Sequence, residues 1–318
     1  MRKVILLYNP SSGRRRERRL ADVDTVLAVL RAAGVEASAA ATEPAGGVTH
    51  QVSEAIAQSC DTIFACGGDG TIHDVLQGMV GTNAALGIIP LGTANSLAHD
   101  LRLPLSPARA ARAALASIAR RVAVGRIQYL DFSGRTCSRY FTVTAGIGVD
   151  AHLFYKLNAL SKRHLGMMAY YVKATRLWLT HRMEQFAVEI PEAVSRRAEV
   201  SQLLAVRIQN FGGVLRELAP GACLERNDLR LVLFHTRSRA AYLGYILRGL
   251  LGTRWNVPGI ELLYSSNASC HALAQDSSPR SRVLVEADGE LLGTLPAEIS
   301  VVRDGLSLLV HSDQGRRA

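Results

Sequence analysis

The chain has 318 residues, of which 48% are hydrophobic and 20% charged, a globular composition with enough length for about two domains. Its formal net charge of +10 favours an anionic partner, such as a phosphate-bearing ligand, an anionic membrane surface or nucleic acid, although a solvated basic surface would give the same total. Five cysteines without a C-x-x-C pair argue against a disulfide framework or zinc site. The sequence has no run of about 18 apolar residues, so it predicts no membrane span.

In the first 120 residues, short apolar strands alternate with helices that have apolar residues at helical spacing. This alternation predicts βαβ units and a parallel sheet. The predicted strands are 3–8, 35–42, 62–66 and 85–90, and the predicted helices are 15–33, 49–59, 71–80, 93–101 and 107–120.

The pattern changes near residues 122–130, where strands that alternate apolar and polar residues begin. These strands predict a mostly antiparallel second domain. We expect strands at 125–134, 137–150, 185–190, 201–209, 229–235, 260–265, 283–288 and 306–310, and helices at about 151–181 and 238–251.

A glycine turn, "GGDGT" at 67–71, follows the predicted strand 62–66 and precedes a predicted helix. In open α/β sheets, ligands bind at the carboxyl ends of the strands, and a glycine turn at a helix N-terminus offers unhindered amides to a phosphate. Asp69 would repel phosphate, so we expect it to organise the loop, hold a metal or position a hydroxyl proton. A plain tight turn is the alternative interpretation.

Two further turns follow the first and fourth predicted strands: "NPSSG" at 9–13 and "PLGTAN" at 90–95. Both turns should lie at the same sheet edge as the turn at 67–71, because parallel strands end together. The sequence has no G-x-G-x-x-G after its first strand and no G-x-x-x-x-G-K-[ST], which argues against a dinucleotide fingerprint and a Walker loop.

These three turns, together with "GIGVDA" at 146–151 and "VEADGELLGTLP" at 285–296, resemble the diacylglycerol kinase catalytic family, and within it the soluble bacterial lipid kinases. "KRHLGMMAYY" at 162–171 resembles the helix that follows in this family. The resemblance covers nearly the whole chain. It implies a Rossmann-like nucleotide-binding α/β domain over 1–127, onto which 306–318 could pack, and a β-sandwich substrate domain over 128–305, related to the NAD kinase superfold.

The resemblance also implies site residues. The nucleotide would contact the three turns and the end of the second strand, and the late Asp-Gly-Glu segment would supply the general base, with Glu290 favoured over Asp288. A solvated hairpin turn is the alternative for that segment. The implied catalytic residues are Glu290, Asp288 and Asp69, and the implied nucleotide-binding residues are Asn9, Gly13, Thr42, Gly67, Gly68, Asp69, Gly70, Thr71, Gly92, Thr93 and Asn95.

The sequence departs from the family pattern at two places. His73 and Asp74 follow the glycine turn where the family usually has Asn-Glu. In "CLERNDLRLVLF", Arg226 stands where the family places an aspartate for a structural Mg²⁺, so that Asp228 is left as the candidate metal ligand.

The resemblance implies an ATP-dependent lipid kinase that phosphorylates a hydroxyl of a diacylglycerol-like lipid with ATP and Mg²⁺. The alternatives are an NAD kinase-like or sphingoid-base kinase and, in another class, a nucleotide-binding regulator that has lost catalysis. "PLGTAN" favours the lipid branch over the NAD kinases.

The expected partners are a lipid alcohol and an anionic membrane surface; no nucleic acid partner is expected, and a homodimer is allowed. We expect a cytoplasmic protein that contacts the membrane peripherally. The predicted membrane contact is Lys156, Lys162, Arg163 and Lys173 on the stretch 151–181. Arg14–Arg19 is interpreted as a solvated helix start, with a nucleotide or membrane role as the alternative.

Overall fold

The computed structural model describes residues 1–13, 16–44, 46–149, 183–191, 196–212, 218–252, 255–273 and 283–311. The chain divides into two compact units. The first comprises Met1–Val124, Asn210–Gly213 and Val302–Ala318, and the second comprises Gly125–Gln209 and Val214–Val301.

The first unit contains a parallel sheet with helices between its strands. The strands lie in the order β4-β3-β1-β2, and the end of β15 (Glu290–His311) pairs in parallel with β4 through Ser307 and Leu308. The elements are β1 (Lys3–Tyr8), a 3₁₀ turn (Arg16–Arg18), α1 (Arg19–Ala32), β2 (Glu36–Ala41), α2 (Gly47–Ala57), β3 (Thr62–Gly67), α3 (Asp69–Met79), β4 (Ala85–Pro90), α4 (Ser96–Asp100) and α5 (Pro107–Leu115).

Two predicted helices are too long, because α4 is shorter than the predicted 93–101 and α5 is shorter than the predicted 107–120. The stretch 107–120 was expected to be helical, but α5 ends at Leu115 and β5 (Ser117–Leu130) begins two residues later. Alanine-rich sequence favours the helix up to that point. Val122 and Val124 then supply β-branched side chains that favour an extended chain, and both are buried.

The second unit is mostly antiparallel. One group of strands follows the order β12-β11-β10-β7-β14-β15, and β15 also pairs with β13, which leads to β8 and β9, and with β5, which leads to β6. These strands are β6 (Thr136–Phe141), β7 (Thr144–Gly148), β8 (Phe186–Ile190), β9 (Arg196–Val200), β10 (Gln202–Val206), β11 (Leu229–Phe234), β12 (Ile260–Ser265), β13 (Asn267–Ala272) and β14 (Leu284–Ala287), and the helix α6 spans Arg239–Leu251.

Side chains from both groups of strands form one buried cluster. Ile147 and Leu203 belong to the first group, Phe186 and Val188 lie on β8 of the second, and all four have no exposed surface. A sandwich with a common core follows, which confirms the predicted fold class. β9, β13 and the part of β15 before residue 306 were not predicted. The helix predicted at 151–181 lies outside the described residues.

All five cysteines are free. Burial strongly raises the pKa of the Cys66 and Cys270 thiols, which keeps both protonated and unreactive. In the ranges given above, no helix is long and apolar enough to cross a membrane.

Candidate active site

The three glycine-containing turns lie at one edge of the parallel sheet. In chain order, the first turn is 9–13, the second is 67–71 and the third is 90–95. Tyr8 pairs with Cys66, and Gly67 pairs with Pro90, so β1, β3 and β4 end together. The pairing continues past the strand ends, because the Asn9 N–H donates to the Cys66 carbonyl at 3.3 Å and the Leu91 N–H donates to the Gly67 carbonyl at 2.8 Å. The turns therefore start from a common line of backbone hydrogen bonds.

The second and third turns touch through backbone. A Cβ atom on Gly68 would lie 3.2 Å from the Gly92 Cα, and a Cβ on Gly92 would lie 2.8 Å from the Asn95 Oδ1 and closer still to Gly68. Side chains at Gly68 or Gly92 would force the turns apart. Gly68 also caps α3, whose first turn carries backbone N–H groups without intrahelical acceptors and a partial positive charge, an arrangement that suits phosphate.

Polar side chains fix the third turn. Asn95 has a positive φ of 53°, and its amide both accepts from the Gly92 N–H at 2.9 Å and donates to the Gly92 carbonyl at 3.1 Å. Asp69 accepts the backbone N–H of Ser96 at 2.7 Å, which joins the start of α3 to the start of α4. Asp69 thus organises the loops, one of its expected roles, and Thr93 is exposed at the tip.

The remaining predicted nucleotide residues lie at the same edge. Asn9 accepts the Ser11 N–H at 2.8 Å, which closes the first turn, and Thr42 donates its N–H to the Tyr8 carbonyl at 2.9 Å beside that turn. Gly13 has a φ of 73°. Thr71 is buried against Gly67, and its hydroxyl has no hydrogen-bond partner among the residues that the structure describes.

Arg19 is a site residue that sequence reasoning missed. The basic run was interpreted as solvated, yet Arg19 is 3% exposed. Its guanidinium donates to the Ser12 carbonyl and, at 2.8 Å, to the Leu91 carbonyl, so that it joins the first turn to the third. Burial lowers the pKa of Arg19, and the nearby Asp22 carboxylate opposes this effect. The interpretation of Arg19 as solvated is wrong because its guanidinium is buried between the two turns, where the buried Leu91 carbonyl requires a donor.

Asp288 holds a hairpin in the second unit. Asp288 and Gly289 both have positive φ, 48° and 84°, in the turn that joins β14 to β15. The Asp288 carboxylate accepts three backbone N–H groups, from Thr142 at 3.0 Å, Val143 at 2.9 Å and Thr144 at 3.0 Å. Asp288 is therefore occupied by backbone donors.

Glu290, two residues later, is exposed at the start of β15. Glu286, which precedes both acids, is 1% exposed and accepts the Gly289 N–H at 3.0 Å. Its side chain lies over Gly146, where a Cβ would be 2.6 Å from the Glu286 Oε1. This contact explains the first glycine of "GIGVD". Of the three acids, only Glu290 is placed to meet a substrate from solvent.

A guanidinium occupies the turn where the resemblance implies a structural Mg²⁺. The fully buried Arg207 donates to the carbonyls of Leu224 at 2.8 Å, Arg226 at 2.9 Å and Asp228 at 2.6 Å. Burial lowers the pKa of Arg207 to about 10, so Arg207 remains charged at neutral pH. The Asp228 carboxylate accepts two bonds from Arg226, each 2.6 Å long, and this hydrogen bonding raises the pKa of Arg226.

This turn does not fit the implied metal, because its carbonyls and its aspartate already face arginines. Over the described residues, no cluster of three His, Cys, Asp or Glu side chains could hold a metal ion. His73, the other departure from the family pattern, is 3% exposed on the packed side of α3.

Two family matches cover most of the chain. The diacylglycerol kinase catalytic domain matches residues 3–127, and the YegS C-terminal NAD kinase beta sandwich-like domain matches residues 142–310. The curated relatives include a diacylglycerol kinase of Bacillus subtilis, 29% identical over 94% of this chain and 93% of its own. Another, from Staphylococcus saprophyticus, is 26% identical over 98% of this chain and 96% of its own.

Solved structures agree with the fold. A diacylglycerol kinase from Bacillus anthracis matches with a TM-score of 0.69 and 19% identity, over 98% of this chain and 97% of that one. Yeast NADH kinase matches with a TM-score of 0.50 and 12% identity, over 99% of this chain and 85% of that one. The chain belongs to the family that joins a diacylglycerol kinase catalytic domain to a YegS C-terminal NAD kinase beta sandwich-like domain, and it is a kinase that phosphorylates an alcohol group.

Proposed function

We propose that the protein is an ATP-dependent lipid kinase that transfers the γ-phosphoryl group of ATP to a hydroxyl of a diacylglycerol-like lipid. The observation that carries this proposal is the backbone contact between Gly68 and Gly92, which brings two glycine turns together beside the N-terminus of α3. The curated relatives named diacylglycerol kinase support the lipid acceptor.

The three turns would hold the nucleotide, with its phosphates against Gly67, Gly68 and Gly70, where no side chain stands between the backbone and the phosphate oxygens. Mg²⁺ would arrive with ATP and neutralise charge on the phosphates, which supply most of its ligands. Asp69, Asn95 and Arg19 would position the turns through the bonds described above.

Glu290 would be the general base. An exposed carboxylate can approach the lipid hydroxyl, accept its proton and leave the oxygen free to bond to the γ-phosphorus as the bond to ADP breaks. Asp288 would position the hairpin, because its carboxylate is occupied by backbone N–H groups of 142–144. We assign nucleotide binding to 1–127 and the lipid to 128–305.

Two alternatives remain distinct in their acceptors. An NAD kinase-like enzyme would phosphorylate NAD, and a sphingoid-base kinase would phosphorylate a long-chain amino alcohol.

The third alternative is a nucleotide-binding regulator that has lost catalysis, which His73 and the turn at 223–228 suggest. His73 packs into α3, and Arg207 fills the turn, so neither departure removes Glu290 or a glycine turn.

The test is a comparison of acceptors with γ-labelled ATP and Mg²⁺. Diacylglycerol, monoacylglycerol and a sphingoid base are presented in mixed micelles, and NAD is presented in solution. We expect label in the product of diacylglycerol, with ADP formed in equal amount. Label in NAD or in the sphingoid base alone would replace the lipid assignment, and nucleotide binding without transfer to any acceptor would establish a regulator.

A further inference from the structure

The outward face of α6 carries a row of apolar side chains. Leu243, Ile246, Leu247 and Leu251 are 48%, 40%, 42% and 65% exposed, and Trp255 beyond the helix is 44% exposed. The leucines and the isoleucine follow the spacing i, i+3, i+4 and i+8, which puts them on one side of a helix. We call these five residues the α6 apolar face. Single exposed apolar residues are ordinary, but a contiguous row marks an interaction surface.

The opposite side of α6 is anchored to the second unit. The Tyr242 ring stacks on Phe234 with centroids 4.5 Å apart, and its hydroxyl lies 2.8 Å from the Ser201 Oγ. Tyr245 meets Phe234 edge-on at 5.2 Å and donates its hydroxyl to the Leu218 carbonyl at 2.5 Å. Because these contacts fix the rotation of the helix, the α6 apolar face cannot turn inward within this packing.

The charged residues in the sequence around α6 have one sign. Residues 236–260 contain four arginines and no aspartate or glutamate. Arg237 and Arg239 are exposed where α6 begins, whereas Arg248 packs over the Tyr245 ring, 4.2 Å from its centroid. The next acid along the chain is Glu261, and it bonds to His235 at 2.9 Å. An apolar row with flanking arginines and a tryptophan is typical of a helix that lies in a membrane interface.

We propose that the α6 apolar face docks on the surface of an anionic lipid bilayer, with its leucines at the boundary of headgroups and acyl chains and Arg237 and Arg239 toward anionic headgroups. This inference rests on the proposed function, since a bilayer holds a diacylglycerol-like substrate. It names other residues than the basic residues predicted on 151–181, which lie outside the described residues.

The first test is co-sedimentation of the full chain with vesicles, either of phosphatidylcholine alone or of an equal mixture with phosphatidylglycerol. The test variant is Leu243→Gln/Leu247→Gln, which keeps good helix formers on the surface. The control is Leu105→Gln/Ile118→Gln, which removes two comparably exposed apolar side chains elsewhere. We expect the test variant to lose at least about tenfold in binding to the mixed vesicles and the control to bind as the wild type does.

The second test is the fluorescence of Trp255, compared between the wild type and Trp255→Phe. The wild-type emission should shift to shorter wavelength on mixed vesicles, and most of this shift should disappear in Trp255→Phe. Binding and shift should both weaken from low to high salt, because exposed charges are screened beyond a Debye length of about 8–10 Å.

Equal vesicle binding by the test variant and its control would overturn the proposal. So would a change in oligomeric state of the test variant with unchanged vesicle binding, since the face would then contact a second copy. Turnover of a water-soluble, short-chain diacylglycerol is measured in parallel and should be equal in all three proteins. Vesicle binding that depends on α6, without turnover of any lipid, would contradict the proposed function but support membrane docking through the α6 apolar face.

Discussion

The carboxylate of Asp69 accepts the backbone N–H of Ser96 at 2.7 Å, a bond that joins turns separated by 27 residues. Asp69 stands in the first turn of α3, where a carboxylate also interacts favourably with the helix dipole. An acidic residue beside a proposed phosphate site is therefore explained by its bond to the neighbouring turn.

Asp69→Asn and Asp69→Ala separate this positioning role from a direct role in metal or proton chemistry. Asparagine keeps an oxygen that can accept the Ser96 N–H, whereas alanine removes it. If positioning dominates, Asp69→Asn should keep ATP affinity within a few-fold of wild type, and Asp69→Ala should lower it by about tenfold or more. Isothermal calorimetry measures both. Equal, severe losses of kcat in the two variants, with ATP affinity unchanged, would contradict positioning.

Arg19→Met should weaken both the fold and nucleotide binding, because it leaves the Ser12 and Leu91 carbonyls without their donor. We expect a loss of about 1–3 kcal/mol in the free energy of unfolding, since this is the cost of leaving one buried group, the Leu91 carbonyl, unsatisfied. Urea denaturation measures this loss, with Arg18→Met as the control at an exposed neighbour. Similar stability of the two variants would show that Arg19 does not join the turns.

Gly92→Ala should lower ATP affinity by about tenfold or more, because the added Cβ displaces the turn that Gly68 contacts. Gly68→Val, which brings a branched side chain to the same contact, should abolish ATP binding and leave the fold largely intact. Gly244→Ala is the control, since its Cβ would meet the nearest neighbouring side chain, Val257, only at 3.8 Å. Unchanged ATP affinity of Gly68→Val by calorimetry would reject the phosphate-binding turn.

Because Arg207 bonds to its carbonyls, the turn at 223–228 should need no metal ion for its stability. Thermal unfolding of the wild type should be the same with Mg²⁺ and with EDTA. Arg207→Met, which leaves three carbonyls unpaired, should lose about 3 kcal/mol or more of stability. Asp228→Asn, which weakens only a solvent-exposed ion pair, should lose at most about 1 kcal/mol. An EDTA-sensitive wild type whose sensitivity disappears in Asp228→Asn would show that Asp228 binds a metal.

The sheet of the first unit was predictable from sequence because each of its strands is a short apolar run and glycine turns follow three of them. The confirmed strands 3–8 and 85–90 match the predicted ranges at both ends. β9 and β13 were missed because "RRAEV" and "NASCHA" have no apolar run. β9 is stabilised by pairing with β8, the strand before it, and β13 by pairing with β8 and β15, which are distant in the chain. Tertiary pairing therefore outweighed local propensity there.

The glycine turns were visible in the sequence, whereas the bonds that fix them were not. The Asp288 carboxylate binds N–H groups as far as 146 residues away, and Arg19 reaches a carbonyl 72 residues away. Arg207 did leave a signal, since a single arginine in the apolar stretch "LLAVRIQN" must find partners when the strand is buried. No comparable signal distinguishes Arg19 from the arginines beside it.

Replacing the side-chain carboxylate by an amide should lower the stability of the protein at Asp288 but not at Glu290. Asp288→Asn places an N–H group among three backbone donors and should lower the stability of the second unit by about 1–3 kcal/mol. Glu290→Gln changes an exposed carboxylate and should leave stability unchanged. Thermal unfolding measures both. A destabilised Glu290→Gln with a stable Asp288→Asn would reverse these two roles.

The most direct test of lipid phosphorylation with Glu290 as base is the transfer of label from γ-labelled ATP to diacylglycerol by the wild type and by Glu290→Gln. We expect labelled phosphatidic acid from the wild type. In the variant, kcat should be about 10²–10⁴-fold lower, with little change in the KM for ATP. A wild type that labels no lipid, or a Glu290→Gln variant that labels diacylglycerol at the wild-type rate, would contradict the account.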